Sequence, residues 1–329
     1  MYLNLQVVRG VAAMMVVMFH ALRMAPTYGL DTGWLGRSGE WGSCGVDVFF
    51  VLSGVVLTLS VDKTMPQARA FFMARCRRVV PLYATLTVLL VLLPLVLPAL
   101  FRGQPPAWTH ALASLVFSSQ WLIGQMPVLY VGWSLEYEML FYAAMSLCLL
   151  TRNMRLVLWG CSGLLLMGVV AGLPPVVIEF VLGVLVARTL HVGARWGMVL
   201  SLVGVGGLCA SAGILFDVES WRALIWGLPA ALMLAGLIRM PQIAPGLGSF
   251  LGEASYSIYL IQVFALPAVY KVVQRWLAAM PADAVTMLAV VSTVCAGVLV
   301  HLFVEKPLAR MTTHGARTPK GAPAKAHAS

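Results

Sequence analysis

Residues 79–101, VVPLYATLTVLLVLLPLVLPALF, run for 23 residues without a charged side chain. A helix that crosses the hydrocarbon core of a bilayer needs about 20 consecutive, mostly apolar residues. The segment therefore predicts a transmembrane helix. Nine further apolar runs of similar character lie at 3–24, 45–61, 132–151, 154–172, 174–191, 196–215, 221–239, 250–272 and 284–304.

The composition agrees with this interpretation. Hydrophobic residues make up 60% of the 329 and charged residues only 10%, against about 25% charged residues in an ordinary soluble domain. The mean hydropathy is +0.90. These values exclude a soluble enzyme, a disordered chain and a disulfide scaffold. They predict an all-α, polytopic integral membrane protein of about ten transmembrane helices, with one domain over 1–310 and a disordered cytoplasmic tail over 311–329.

The basic residues predict an orientation. With ten spans, 15 of the 22 Lys and Arg residues fall on the side of the two termini and 6 on the other side. Cytoplasmic loops carry the excess of Lys and Arg, so both termini are expected in the cytoplasm, with the chain in the inner membrane. The net charge of +10 then needs no nucleic-acid partner. The segment 108–123 is short and dotted with polar residues, which favours an interfacial or re-entrant position; if it spanned, the topology downstream would invert.

Ionisable side chains inside apolar runs are the most informative residues, because each costs about 2.5–3.5 kcal/mol at a helix centre. Arg9 and His20 both lie in the first run, eleven residues apart. That separation is close to three helical turns, so the two side chains share a face at a rise of about 16 Å. The alternative is structural: Arg9 snorkels to the interface and His20 is a satisfied polar residue near a helix end.

Two further motifs lie at the starts of the second and third apolar runs. GVDVFFVLSG at 45–54 contributes Asp47, Ser53 and Gly54, although Asp47 also suits a helix N-terminus and Ser53-Gly54 also suits helix packing. FFMARCRRVVPLY at 71–83 contributes Arg75 and Arg78, whose i,i+3 spacing lets two guanidinium groups face one phosphate. The alternative for this pair is a topological anchor.

Two later motifs carry polar groups into apolar runs. WSLEYEMLFY at 133–142 contains Glu136 and Glu138; at i,i+2 they point to nearly opposite faces of a helix. At most one of them is therefore expected in the same pocket as His20. SYSIYLIQ at 255–262 supplies Tyr256 and Gln262, and VEKP at 304–307 is expected to cap the last span.

Taken in order from residue 3 to 307, these segments resemble the membrane-bound acyltransferase-3 family, of the exopolysaccharide and O-antigen O-acyltransferase type. The resemblance implies transfer of an acyl group, commonly acetyl from acetyl-CoA, to a sugar at the outer membrane face. It implies that His20 is the acid/base or acyl-handling residue and that Arg9 contacts the acyl donor. Arg75 and Arg78 would hold CoA phosphates, and Glu138 would orient His20 or bind the sugar.

The resemblance also implies the surroundings of the site. The pocket is expected to be lined by Asp47, Ser53, Gly54, Trp133, Glu136, Tyr256 and Gln262. Many family members have His where this chain has Gln262, so a mechanism with two histidines is in doubt and more weight falls on His20. Acyl-CoA is expected as co-substrate without a metal. The expected partners are a carbohydrate or lipid-linked sugar, membrane lipids and the polysaccharide synthesis machinery.

Direct transfer assisted by His20 and a covalent acyl-enzyme are both open at this stage. A proton-coupled transporter or flippase that uses Arg9, His20 and Glu138 as a relay is the main alternative function. A structural partner of a polysaccharide synthase is another.

Overall fold

The computed structural model of the chain describes residues 2–97, 106–188, 196–213, 218–277 and 279–314. Throughout these ranges the regular structure is helical and contains no β-strand, which confirms the predicted all-α class. In chain order the α-helices are α1 (Leu3–Met24), α2 (Cys44–Thr64), α3 (Ala68–Val96), α4 (Trp108–Leu115), α5 (Ser119–Leu122), α6 (Trp133–Leu149), α7 (Met154–Val170), α8 (Ile178–Arg188), α9 (Gly197–Ala210), α10 (Val218–Arg222), α11 (Leu228–Arg239), α12 (Leu247–Trp276), α13 (Ala282–Val300) and α14 (Lys306–His314). Wider π-helical turns at Ala223–Gly227 and His301–Glu305 join α10 to α11 and α13 to α14.

Each of the ten predicted runs contains one helix, namely α1, α2, α3, α6, α7, α8, α9, α11, α12 or α13. Among the described residues, six helical segments are long and apolar enough to cross a membrane. They contain α1, α2, α3, α11, α12 and α13. The remaining four helices have 11 to 17 residues, which at a rise of about 1.5 Å per residue gives roughly 17–26 Å. The chain is thus a multi-pass membrane protein, and ten full spans stays a prediction.

The segment 108–123 forms two short helices, α4 and α5, of eight and four residues. Phe117, between the two helices, has a left-handed backbone conformation with φ 56°, which interrupts the helix. Eight residues of helix cover only about 12 Å, too little to cross a bilayer. The segment therefore does not form a single transmembrane helix.

Small residues bring the helices that carry the motifs into close contact. A Cβ on Gly252 of α12 would lie 1.8 Å from the carbonyl oxygen of Gln6 in α1, and a Cβ on Gly183 of α8 would lie 2.1 Å from that of Val51 in α2. Gly54 packs at this second crossing against Gly183. Close approach through glycine is a common way to pack helices in membranes, where lipid gives no hydrophobic drive for association.

The last helix extends to His314, so residues 311–314 of the predicted tail are helical. The rest of that tail, 315–329, lies outside the described residues.

Candidate active site

A cavity opens between α1, α2, α3, α6 and α12 and holds about 800 Å³, part of which is open to the exterior. Its wall combines apolar side chains with a concentration of polar ones. The polar residues are Arg9, Ser53, Arg75, Arg78, Ser134, Glu138, Tyr142, Ser255, Tyr256 and Tyr259. Three guanidinium groups face one carboxylate, so the wall carries a net formal charge of +2. Such a wall favours an anionic ligand.

Arg9 reaches the cavity because contacts before and after Arg9 hold α1 in place. Asn4 donates from Nδ2 to the carbonyl oxygens of Leu237 and Pro241, at 3.0 and 3.1 Å. Beyond Arg9, α1 lies directly on α12, where a Cβ on Gly10 would be 3.1 Å from the backbone nitrogen of Gly252. This packing turns the Arg9 face of α1 toward the interior of the bundle.

Arg75 and Arg78 come to the same wall from α3, as their i,i+3 spacing predicts. The Nε of Arg75 is buried and makes no hydrogen bond within the part of the chain that the structure describes. The hydroxyl of Ser255, across the cavity on α12, is also buried and unpaired there. Buried polar groups are normally hydrogen-bonded, so these two are available to a ligand.

Glu138 is the carboxylate of this cavity, and α6 and α2 fix its position. Its Oε1 accepts a hydrogen bond from the hydroxyl of Ser53 at 3.1 Å and a short one from the hydroxyl of Tyr142. Ser53 and Tyr256 border the cavity. Tyr256 is held by donation to the carbonyl oxygen of Val79 at 2.6 Å.

A hydrogen-bonded group on α6 and α12 forms another part of the cavity wall. The hydroxyl of Tyr259 lies 2.8 Å from the hydroxyl of Ser134. It also donates to the carbonyl oxygen of Val131 at 2.8 Å. Val131 belongs to the 3-10 turn Tyr130–Gly132 that precedes α6, so the cavity wall is tied directly to this turn.

His20 contacts the same turn through the ring of Tyr130. Its Nδ1 is 2.9 Å from the carbonyl oxygen of Val16, and a carbonyl only accepts, so Nδ1 carries the proton. In the neutral imidazole this leaves the lone pair on Nε2. The ring of Tyr130 packs against the imidazole with 5.2 Å between ring centroids. His20 is thus presented as a base with a defined tautomer.

Gln262 accompanies His20 from α12. Its side chain interacts with the imidazole, and its Nε2 donates to the carbonyl oxygen of Tyr259 at 2.7 Å. The Oε1 of Gln262 makes no hydrogen bond within the described residues. Gln262 therefore places a neutral amide beside His20.

The structure separates the two candidate catalytic residues. Glu138 borders the cavity lined by Arg9, Arg75 and Arg78, which we call the arginine cavity. His20 is not among the described residues that border it. The group of Tyr259, Ser134 and Val131 lies between them.

Asp47 and Trp133 lie beside the cavity rather than in its wall. Asp47 is fully buried and accepts two hydrogen bonds from Arg222, at 2.7 and 2.9 Å. The guanidinium of Arg222 also lies 5.9 Å from the ring centroid of Trp133 and 5.0 Å from that of Trp226. Arg222, which the sequence suggests is a loop charge, is in fact 6% exposed.

Glu136 points away from the cavity to the face opposite Glu138. It is fully buried and accepts from the backbone nitrogens of Ser119 and Gln120, at 2.8 and 3.2 Å. The side-chain amide of Gln120 donates to it as well, at 3.2 Å. Glu136 thus fixes the start of α5. The i,i+2 spacing separates a carboxylate that holds a loop from one that faces the cavity.

Comparison with known proteins bears on this arrangement. The acyltransferase-3 family model, described as an acyltransferase domain, matches residues 2–301. The chain belongs to the acyltransferase-3 family. All the cavity residues and His20 fall inside the matched range, so the resemblance drawn from the motifs is confirmed. As a member of this family the protein is a membrane acyltransferase.

Two relatives of this acyltransferase-3 chain extend the comparison. The chain is 33% identical over 296 residues to the exopolysaccharide production protein ExoZ of Rhizobium meliloti (strain 1021), an alignment that covers 82% of this chain and 90% of that protein. It is 27% identical over 326 residues to the acyltransferase MdmB of Streptomyces mycarofaciens, covering 82% and 81%. No solved structure matches the chain.

Several residues of the site were not among those predicted. Tyr142 carries a visible signal, because at i,i+4 from Glu138 it lies on the same face of α6. The sequence gives no such signal for Tyr259 and Ser134, since hydroxyls in apolar helices are common. The sequence gives no indication of a partner for Arg222, and only its hydrogen bonds to Asp47 of α2 reveal one.

Proposed function

We propose that this membrane acyltransferase transfers an acyl group, most simply acetyl, from cytoplasmic acyl-CoA to a hydroxyl of a carbohydrate at the outer face of the inner membrane. The observation that carries the proposal is the cavity with three arginines at one end and His20 beyond the other. The name of the relative ExoZ supports an exopolysaccharide as the acceptor.

The donor side of the proposal rests on charge. CoA is a large anion that cannot enter hydrocarbon, whereas its pantetheine arm is thin and extended. Arg75 and Arg78 would hold phosphate oxygens at the cavity mouth, because guanidinium forks match phosphate geometry. Arg9 would contact the donor further in. The excess of Lys and Arg on this side of the chain supports a cytoplasmic position for the mouth.

The chemical step rests on His20. The acceptor hydroxyl oxygen would attack the thioester carbonyl carbon while Nε2 of His20 takes its proton. The carbon–sulfur bond then breaks, and the proton passes from His20 to the departing thiolate. The products are the acyl ester and free CoA. The unpaired Oε1 of Gln262 would stabilise the imidazolium that forms, since a neutral acceptor beside a charged ring lowers its energy.

Glu138 would act on the donor side. Hydrogen bonds from Ser53 and Tyr142 hold its carboxylate among the arginines. In this position it would fix the directions of the guanidinium groups and keep their net charge low enough for CoA to leave after transfer.

Mass spectrometry of surface polysaccharide from cells with and without this protein tests the function. An acyl mass increment on the repeat unit that is lost with the gene, and restored by the wild-type gene but not by His20→Ala, supports the proposal. An unchanged polysaccharide, together with proton-coupled movement of an unmodified solute by the purified protein, would refute it.

A further inference from the structure

The hydroxyl of Tyr130 is a buried hydrogen-bond donor that nothing in the described chain uses. Its oxygen is shielded from solvent and has no hydrogen-bond partner among the described residues. Leaving a buried hydroxyl unpaired costs free energy of folding. A group kept at such a cost deserves a functional explanation, because buried polar groups in folded proteins are nearly all paired.

Tyr130 belongs to a turn that contacts both the cavity wall and His20. Its ring packs on the imidazole, with 5.2 Å between centroids and 53° between planes. The next residue, Val131, accepts hydrogen bonds at its carbonyl oxygen from Tyr259 at 2.8 Å and from Ser134 at 3.3 Å. Both of those donors border the arginine cavity. An acyl group that moves past Tyr259 and Ser134 therefore reaches Tyr130 and His20 together.

The turn that carries Tyr130 is rigid, so the phenol is held in place before any substrate binds. The backbone nitrogen of Gly132 donates to the carbonyl oxygen of Leu129 at 2.7 Å. A Cβ on Gly132 would lie only 2.6 Å from the ring of Tyr83, which locks the turn against α3. A fixed donor is worth most to a reaction because it needs no reorganisation when charge develops.

Acyl transfer from a thioester develops negative charge on the carbonyl oxygen as the acceptor oxygen attacks. Nδ1–H of His20, another donor next to this point, is already bonded to the carbonyl oxygen of Val16. We propose that the Tyr130 hydroxyl donates a hydrogen bond to the thioester carbonyl oxygen and stabilises the oxyanion of the transition state. Tyr130 keeps its proton throughout, while the proton of the acceptor hydroxyl goes to Nε2 of His20 and then to the leaving thiolate. This inference rests on the proposed function.

The substitution Tyr130→Phe tests the inference, because it keeps the ring contact with His20 and removes only the unpaired hydroxyl. We expect kcat for acetyl transfer by the purified protein to fall by about 100-fold, with an unchanged KM for acetyl-CoA. We expect the melting temperature to stay the same or to rise, since an unsatisfied buried group is removed. Tyr137→Phe is the matched control: its hydroxyl donates to Gln120 at 3.3 Å, away from the cavity, and its loss should leave kcat unchanged.

The outcomes separate this inference from the function on which it rests. If wild-type protein transfers acetyl and Tyr130→Phe keeps its full kcat, the Tyr130 inference is wrong and the proposed function stands. If Tyr130→Phe fails to fold or melts markedly lower, the hydroxyl has a structural partner and the inference is also wrong. If wild-type protein transfers no acyl group, the Tyr130 inference and the proposed function are both wrong.

Discussion

Asp47 and Arg222 form a buried ion pair although 175 residues separate them in the chain. Two hydrogen bonds join the guanidinium to the two carboxylate oxygens, and the side chains are 0% and 7% exposed. The pair ties α2, which carries Ser53 to the cavity, to α10 and the π-helical turn that follows it. The acidic residue of the GVDVFFVLSG motif is thus already paired within the protein itself.

Breaking this pair should destabilise the protein strongly. We expect Asp47→Ala to lower the free energy of unfolding by about 3–5 kcal/mol, because it leaves an uncompensated buried charge. The double variant Asp47→Ala with Arg222→Met should recover part of that loss. Thermal unfolding in detergent measures both. Arg23→Ala is the control, since its pair with Glu40 is 65% and 62% exposed and such pairs contribute about 0–1 kcal/mol; equal losses for Arg23→Ala and Asp47→Ala would contradict the expectation.

Replacement of His20 should abolish acyl transfer without affecting membrane insertion. Loss of a general base lowers the rate by about 10²- to 10⁴-fold, so His20→Ala is expected to show transfer at that reduced level or below. The assay is transfer of labelled acetyl from acetyl-CoA by purified protein. His110→Ala serves as control, because the His110 ring is partly exposed, does not border the cavity and hydrogen-bonds to the carbonyl oxygen of Met126 in its own segment. Full activity in His20→Ala would remove His20 from the mechanism.

The two cavity arginines of α3 should govern donor binding. We expect Arg75→Ala combined with Arg78→Ala to raise the KM for acetyl-CoA by about tenfold or more, since a hydrogen bond to a charged group contributes about 1.5–3 kcal/mol. Steady-state kinetics at varied acetyl-CoA measure this change. Arg77→Ala is the matched control, because Arg77 lies on the same helix but does not border the cavity. If neither the double variant nor Arg77→Ala changes the KM for acetyl-CoA, Arg75 and Arg78 are topological anchors only.

The charge distribution predicts the orientation in the membrane. In a background without native cysteines, of which Cys209 and Cys295 are exposed, a cysteine at Asp217 should react with an impermeant reagent from outside the cell. A cysteine at Lys320 should react only after the membrane is opened. The physical reason is the 15 to 6 excess of Lys and Arg on the side of the termini. The reverse labelling pattern would refute the topology and, with it, a cytoplasmic mouth for the cavity.

The sequence by itself determined the helical membrane architecture, because the length of an apolar run and its lack of charge are local properties that fix whether a helix can cross a bilayer. It also determined the family, through motifs that each lie within about ten residues. The i,i+3 spacing of Arg75 and Arg78 correctly predicted that they share a surface, since helix geometry sets neighbours three residues apart.

Only the tertiary structure decided which polar residues meet. Glu136 and Glu138 look alike in WSLEYEMLFY, and the packing of α5 on one face of α6 and α2 on the other gave them different partners. The partner of Asp47 and the place of Tyr130 between Tyr259 and His20 depend on contacts between helices far apart in the chain. Such contacts follow from how whole helices cross, at glycines such as Gly54 and Gly252, and no local pattern encodes that.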